Sequence, residues 1–312
     1  MTTATALGLA LGWAADRLLG DPARYHPVAG FGRLATALEQ QVYADDRRSG
    51  VVFAASLAGG AAGLGWVLQR ACRGNAAATV AVTAVATWTV LGGRSLSREA
   101  DAISDCLSAG DLDAARALLP RLVSRDPAGL DADQVARATL ESVAENTSDA
   151  VVAPLLWGAV AGVPGLLAYR AVNTLDAMVG YRNRRYRNFG WAAARADDVA
   201  NWLPARLTGA LAAIAAPTVG GRPGDATAAV TGQAAAHPSP NGGVVEAAFA
   251  GALGVTLGGT NTYDGVVEDR GELGDGPAPS PKDLERGVRL ARVVSAAAVA
   301  VAVGLAWRKG RR

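Results

Sequence analysis

The chain has 312 residues, half of them hydrophobic, with a mean hydropathy of +0.18 and a formal net charge of +2. That length allows a large buried core or one polytopic membrane domain, and the hydropathy leans towards membrane. The small net charge gives no case for nucleic acid, and Cys72 and Cys106 offer neither a CxxC motif nor a disulfide framework.

Charge-free runs locate candidate spans. Ser49–Gln69, Gly74–Gly93 and Ala150–Tyr169 each approach the roughly 20 apolar residues a transmembrane helix needs. Four shorter runs are Met1–Ala15, Leu207–Gly221, Ala247–Tyr263 and Val293–Trp307. All are rich in Ala and Gly, which permit close helix packing in lipid. The expected fold is all-α: a polytopic integral membrane protein with about five to seven apolar helices and a helical polar segment between the third and fourth spans. We take 1–312 as a single membrane-embedded catalytic domain with a polar helical insertion at 94–149. The N-terminal run lacks a basic lead, so no cleaved signal is expected.

Within the insertion, Ser95–Leu107 alternates apolar and charged residues at helical spacing, Asp111 is a good N-cap for Leu112–Val123, and Asp131 can cap a third helix. That helix leads into Glu141, Glu145 and Asp149, spaced i, i+4, i+8. A continuous helix stacks them on one face. Asn146 and Ser148 add neutral oxygens, and such a set suits Mg²⁺; the alternative is a solvated helix face.

If Ala150–Tyr169 crosses the bilayer fully, the polar clusters on either side of it cannot share a site. Val163-Pro164-Gly165 sits in its middle, where a helix breaks, so a broken hairpin returning both clusters to one face is preferred. Next comes Tyr181–Asn188, with four arginines in six residues. They can grip phosphate or carboxylate, or act only as a cytoplasmic orientation signal. Arg195, Asp197, Asp198 and Asn201 can hold a second cation, or form a cap and a salt bridge.

The only two histidines, His26 and His237, both precede proline and are placed in fixed turns. His237 is followed by Ser239, Asn241 and two glycines, the pattern of a helix N-terminus prepared for an anion, with Glu246 one turn inside. Gly271–Lys282 reads as a flexible linker. The terminal Trp307-Arg308-Lys309-Gly310-Arg311-Arg312 places the C-terminus in the cytoplasm, and the active site is expected to face the cytoplasm as well. There is no GxxxxGK[ST], GxGxxG or GxSxG.

Several stretches together resemble the cobinamide or cobinamide-phosphate synthases of cobalamin biosynthesis, the CobD/CbiB family. They are DRLLGDP with the following HPV and GR, ESVAENTSDAVVAPLLW, YRAVNTLDAMVGYRNRRYRNFGWAAARADDVANWLPARL, and HPSPNGG with Glu246. The resemblance covers the chain almost end to end and is weakest after Asp264. It implies a membrane ligase joining the free propionate carboxylate of (adenosyl)cobyric acid to aminopropanol or aminopropanol phosphate, using ATP and Mg²⁺.

Carried onto this chain, the resemblance implies that Glu141, Glu145, Asn146 and Asp149 bind Mg²⁺–nucleotide. Arg182, Arg184, Arg185 and Arg187 hold phosphate groups. Asp197 or Asp198 binds a cation or accepts the amine proton, and Glu145 joins them as a catalytic residue. His26, His237, Ser239 and Asn241 line the substrate pocket. The partners implied are the corrinoid, the amine and the lipid bilayer; a homo-oligomer, or contact with other corrinoid-pathway enzymes, is compatible. Rival readings are a transporter, an enzyme moving phospho-alcohol groups, and a non-catalytic membrane sensor.

Overall fold

The computed structural model describes residues 3–22, 26–123, 126–181, 183–263 and 266–310. It is mostly helical. The helices are α1 (Thr3–Leu19), α2 (Pro27–Val42), α3 (Arg47–Ala71), α4 (Ala76–Val90), α5 (Gly93–Ser108), α6 (Leu112–Leu118), α7 (Ala132–Thr147), α8 (Ala153–Ala161), α9 (Val163–Val179), α10 (Trp191–Ala215), α11 (Pro223–Gln233), α12 (Gly242–Leu253) and α13 (Pro281–Gly310). Two compact units interleave along the chain. The first takes Met1–Gly92, Asp149–Asn201 and Ala298–Arg312; the second takes Gly93–Ser148 and Trp202–Ala297.

Among the described residues, three helical stretches are long and apolar enough to cross a membrane: Arg47–Ala71, Ala76–Ser108 and Pro281–Lys309. The second holds α4 and α5, separated by a break at Leu91–Gly92. At 25 residues α3 is about 37 Å long, more than the ~30 Å hydrocarbon core. Only 17% of its apolar window is buried, and Val52, Leu64 and Trp66 point outward, as a lipid-facing helix requires.

In the first unit α1 packs on α4, α3 on α9, and α8 on α9. The α1–α4 contact depends on missing side chains. A Cβ at Gly8 would lie 2.5 Å from Thr83 Cβ, and one at Gly12 would lie 2.4 Å from Thr87 Cβ. Gly8-xxx-Gly12 thus forms a groove that receives Thr83-xxx-Thr87, a small-residue seam of the kind that joins helices in lipid. Gly12→Leu is expected to lower stability in detergent by about 1–3 kcal/mol through overpacking, read as a fall in the unfolding midpoint. An unchanged midpoint would show that the seam is dispensable.

The broken hairpin expected at 163–165 forms one residue earlier. Gly162 adopts φ +70°, ψ −147°, a conformation essentially reserved for glycine. The helices on either side run back along each other, since a Cβ at Gly165 would meet Trp157 O at 2.3 Å. Gln69, near the end of α3, pins the turn by accepting a 3.0 Å hydrogen bond from Val163 N. The second turn of α9 is thereby brought to the segment preceding α8: Tyr169 Oη donates to Asp149 O at 3.1 Å.

The second unit contains α5 to α7, and here the sequence reading of the caps is met. Asp111 accepts from Ala114 N, and Asp131 forms a reciprocal capping box with Gln134. Two expectations are corrected. The fold is not all-α, because Leu257–Tyr263 and Val266–Leu273 pair as an antiparallel hairpin, β1 and β2. Ala247–Tyr263 is therefore not a span. α12 stops at Leu253, where Gly254 caps it in the left-handed conformation, and Gly258 and Gly259 then bend β1 at a register shift. The stretch Gly271–Lys282 begins inside β2, and Thr256 Oγ1 donates to Gly276 O at 2.6 Å.

Candidate functional site

The helical spacing of Glu141, Glu145 and Asp149 does not produce one face. α7 ends at Thr147 and a π-helical turn, Ser148–Val152, follows before α8. The wider turn re-aims Asp149, a role that π-turns play at many functional sites. Asp149 belongs to the first unit and Glu141 and Glu145 to the second, so the predicted residues fall into two clusters.

The second unit's cluster is built on α7, on the HPSPNGG turn with α12, and on the β hairpin. Glu141 is buried and accepts a 2.8 Å hydrogen bond from Gly258 N. This ties the hairpin bulge to α7. Asn146 folds back on its own helix, donating to Ser142 O at 3.0 Å. Of the four predicted Mg²⁺ ligands, Glu145 alone enters a ligating group here. It joins His237 and Glu246, and one ligand atom of each lies within 4.8 Å of the others. Arg270 Nη2 stands 3.6 Å from Glu145 Oε1. Burial pushes the Glu145 carboxyl up to about 7; the Glu246 charge adds to this, and Arg270 and His237 oppose it. Burial also lowers His237, with the Arg270 charge adding.

The sequence expects an anion at the α12 N-terminus; the chain's own Glu145 lies beside it, while Gly242 N donates to Ser239 Oγ. A Cβ on Gly242 would lie 2.8 Å from Glu145 Oε1 and 3.1 Å from His237 Cε1. Ser239 Oγ caps the helix by accepting from Gly242 N at 3.0 Å. Asn241 Oδ1 accepts from Arg206 Nη1 at 2.8 Å. Ser239 and Asn241 therefore shape the turn that carries His237.

The first unit's cluster joins α9, α10 and the π turn. Asn173 Nδ2 faces Asp149 Oδ2 at 3.4 Å and Asp197 Oδ1 at 3.3 Å, so one amide lies between two carboxylates. Asn201 Nδ2 donates to Asp197 Oδ2 at 2.9 Å, and Tyr169 Oη donates to Asn201 Oδ1 at 2.8 Å. Burial raises the Asp197 carboxyl, against the hydrogen bonds from Asn201 and Asn173. The donor set fits Mg²⁺, a hard cation that takes one or two carboxylates and completes its shell with water and phosphate oxygens. Asp198 pairs with Arg195 at 3.4 Å, and its charge helps to raise the neighbouring Asp197.

The remaining predicted residues have other tasks. His26 Nδ1 caps α2 by accepting from Val28 N at 3.2 Å. Arg185 Nη2 donates to Glu39 Oε1 at 2.8 Å and its guanidinium covers the Tyr43 ring at 4.3 Å. Phe189, fully buried against Phe53 and Tyr43, anchors this loop. Arg184 and Arg187 are exposed. Arg182 lies outside the described residues. Sequence reading did not assign site roles to Tyr169, Asn173 or Arg270. The first two lie in the quoted central block, and Arg270 lies in the tail that was set aside.

A profile of the family described as "CobD/Cbib protein" matches residues 9–291. The chain is 54% identical over 304 residues to the Cobalamin biosynthesis protein CobD of Mycobacterium tuberculosis (strain H37Rv), covering 97% of this chain and 96% of that protein. It is 46% identical over 281 residues to the protein of the same name from Geobacter metallireducens, covering 88% of each chain. Identity to the Rhodobacter capsulatus protein of that name is 41% over 298 residues, 94% of this chain and 92% of the relative. No solved structure matches. The match runs through both units and both polar clusters, and on it the chain belongs to the CobD/CbiB family of cobalamin biosynthesis proteins.

Proposed function

We propose that this protein is the ATP-dependent ligase that forms an amide between the free propionate carboxylate of (adenosyl)cobyric acid and aminopropanol or aminopropanol phosphate. The observation that carries the reading is the pair Asp149 and Asp197 held face to face across Asn173, in a chain of this family. A free carboxylate has no leaving group. Phosphoryl transfer from ATP to the propionate oxygen supplies one and releases ADP. The amine then attacks the acyl carbon, phosphate departs, and the amine's extra proton passes to a base.

In this reading Asp149 and Asp197 hold Mg²⁺ with the nucleotide phosphates, and the ion supplies neutralisation of their charge. Asn201 and Tyr169 fix the Asp197 side chain and Asn173 fixes the gap between the acids, so the site is preorganised. Arg184 and Arg187 reach for phosphate from the loop anchored by Phe189. Glu145 and His237 belong to the group that handles the proton or the substrate. A transporter would carry its acids at mid-span. Glu145, Glu246, Asp149 and Asp197 instead lie outside the three long apolar stretches. We place the protein in the cell membrane as a multi-pass protein, with α1 and the α8–α9 hairpin as further apolar elements and the active site facing the cytoplasm.

The test is purified protein in detergent with adenosylcobyric acid, ATP, Mg²⁺ and each amine in turn, read by product mass. An amide product with one of the two amines, dependent on ATP, is expected. No product with either would overturn the reading.

A further inference from the structure

We propose that Glu145, His237 and Glu246 form a site for one divalent ion of the borderline transition class, of which Zn²⁺ is the probe. The site shares Glu145 and His237 with the ligase reading but uses neither Asp149 nor Asp197, the acids that reading gives to Mg²⁺–nucleotide. Three ligand atoms, one nitrogen and two carboxylate oxygens, lie within 4.8 Å of one another. Ligands of a tetrahedral ion at about 2.0–2.1 Å sit about 3.3 Å apart, so a modest turn of Glu145, the partly exposed member, closes the set.

His237 points to a ligand independently of the acids. Its side chain is wholly buried, and its Nε2 makes no hydrogen bond among the described residues while facing Glu246 Oε1 at 3.3 Å. The other ring nitrogen, Nδ1, accepts from Ser239 N at 3.0 Å and lies 3.3 Å from Ser239 O, which is its partner in the other tautomer. A metal on Nε2 would move the ring proton to Nδ1, where the Ser239 carbonyl accepts it in place of the bond from Ser239 N. That is the second contact by which proteins orient a metal-bound imidazole.

Charge and space agree. When both are ionised, Glu145 and Glu246 bring two negative charges into the pocket and Arg270, 3.6 Å from Glu145, returns one. Gly242 and Gly243 keep the wall bare, since a Cβ on either would press on His237 at 3.1 Å and 2.6 Å respectively. An imidazole nitrogen with two carboxylates selects Zn²⁺-like ions over Mg²⁺, which prefers oxygen alone.

The experiment strips the purified full-length protein with chelator and titrates Zn²⁺ in the presence of excess Mg²⁺. One Zn²⁺ per chain is expected. His237→Gln and Glu246→Gln should each weaken binding at least about 100-fold, and Asp197→Asn should leave it unchanged. Because a buried variant can misfold, the wild-type protein loaded with Zn²⁺ is also examined by X-ray absorption, where one imidazole and oxygen neighbours are expected. Absence of stoichiometric binding, a shell without imidazole, or undiminished binding by folded His237→Gln would each overturn the proposal.

Discussion

Replacing Asp197 with Asn is expected to reduce amide formation by at least about 100-fold while leaving the protein folded. The variant keeps the size of the side chain and one of its two accepted hydrogen bonds, since an amide has a single oxygen where the carboxylate accepts from both Asn173 and Asn201, and it removes the charge that faces Asp149 across the shared amide. If that charge holds Mg²⁺–nucleotide, its loss forfeits several kcal/mol of transition-state stabilisation, and each 1.36 kcal/mol is tenfold in rate. Asp198→Asn is the paired control. Asp198 lies on the helix surface in an i, i+3 pair with Arg195, an arrangement worth roughly 0–1 kcal/mol. It should therefore change the rate no more than a few fold. Product formation measured at saturating ATP and Mg²⁺ decides the matter. Equal losses in the two variants would remove Asp197 from its assigned place.

Gly162→Ala is expected to destabilise the α8–α9 hairpin and to diminish activity with it. Two costs combine. The backbone at φ +70°, ψ −147° is one that alanine adopts only with strain, about 1–3 kcal/mol. The new Cβ would also lie 2.1 Å from Gln69 Oε1, the group that accepts from Val163 N. The two costs separate in a double-mutant cycle. In a Gln69→Ala background the steric part disappears and the backbone part stays, so Gly162→Ala should cost less there than in the wild type. Thermal unfolding in detergent gives the stabilities. Equal costs in both backgrounds would show that Gln69 has no part in the turn.

The hairpin was legible because its signals are local. A proline flanked by Val163 and Gly165 inside an apolar run marks a break, and the structure moves it by one residue to the glycine that permits the turn. The caps at Asp111 and Asp131 were legible for the same reason. The π turn was not. Nothing in Asn146–Val152 announces a wider helical turn, so the i, i+4, i+8 acids were read as one face when Asp149 in fact joins Asn173 and Asp197. The grouping of Glu145 with His237 and Glu246 was half visible. HPSPNGG marked the turn and Glu246 its helix, but the partner on α7 is about 90 positions away, and no local pattern carries that distance. The β hairpin was hidden by composition. Ala247–Tyr263 has no charge, and hydropathy alone does not separate a short buried helix followed by a glycine-bent strand from a membrane span.

The division of the chain bears on its biogenesis. The last turns of α13 belong to the same unit as α1 to α4, and Lys309 Nζ donates to Val160 O, at the end of α8, at 3.1 Å. A ribosome must therefore release nearly the whole polypeptide before this unit has all of its parts. Premature termination near residue 298 removes an integral piece rather than a dispensable tail.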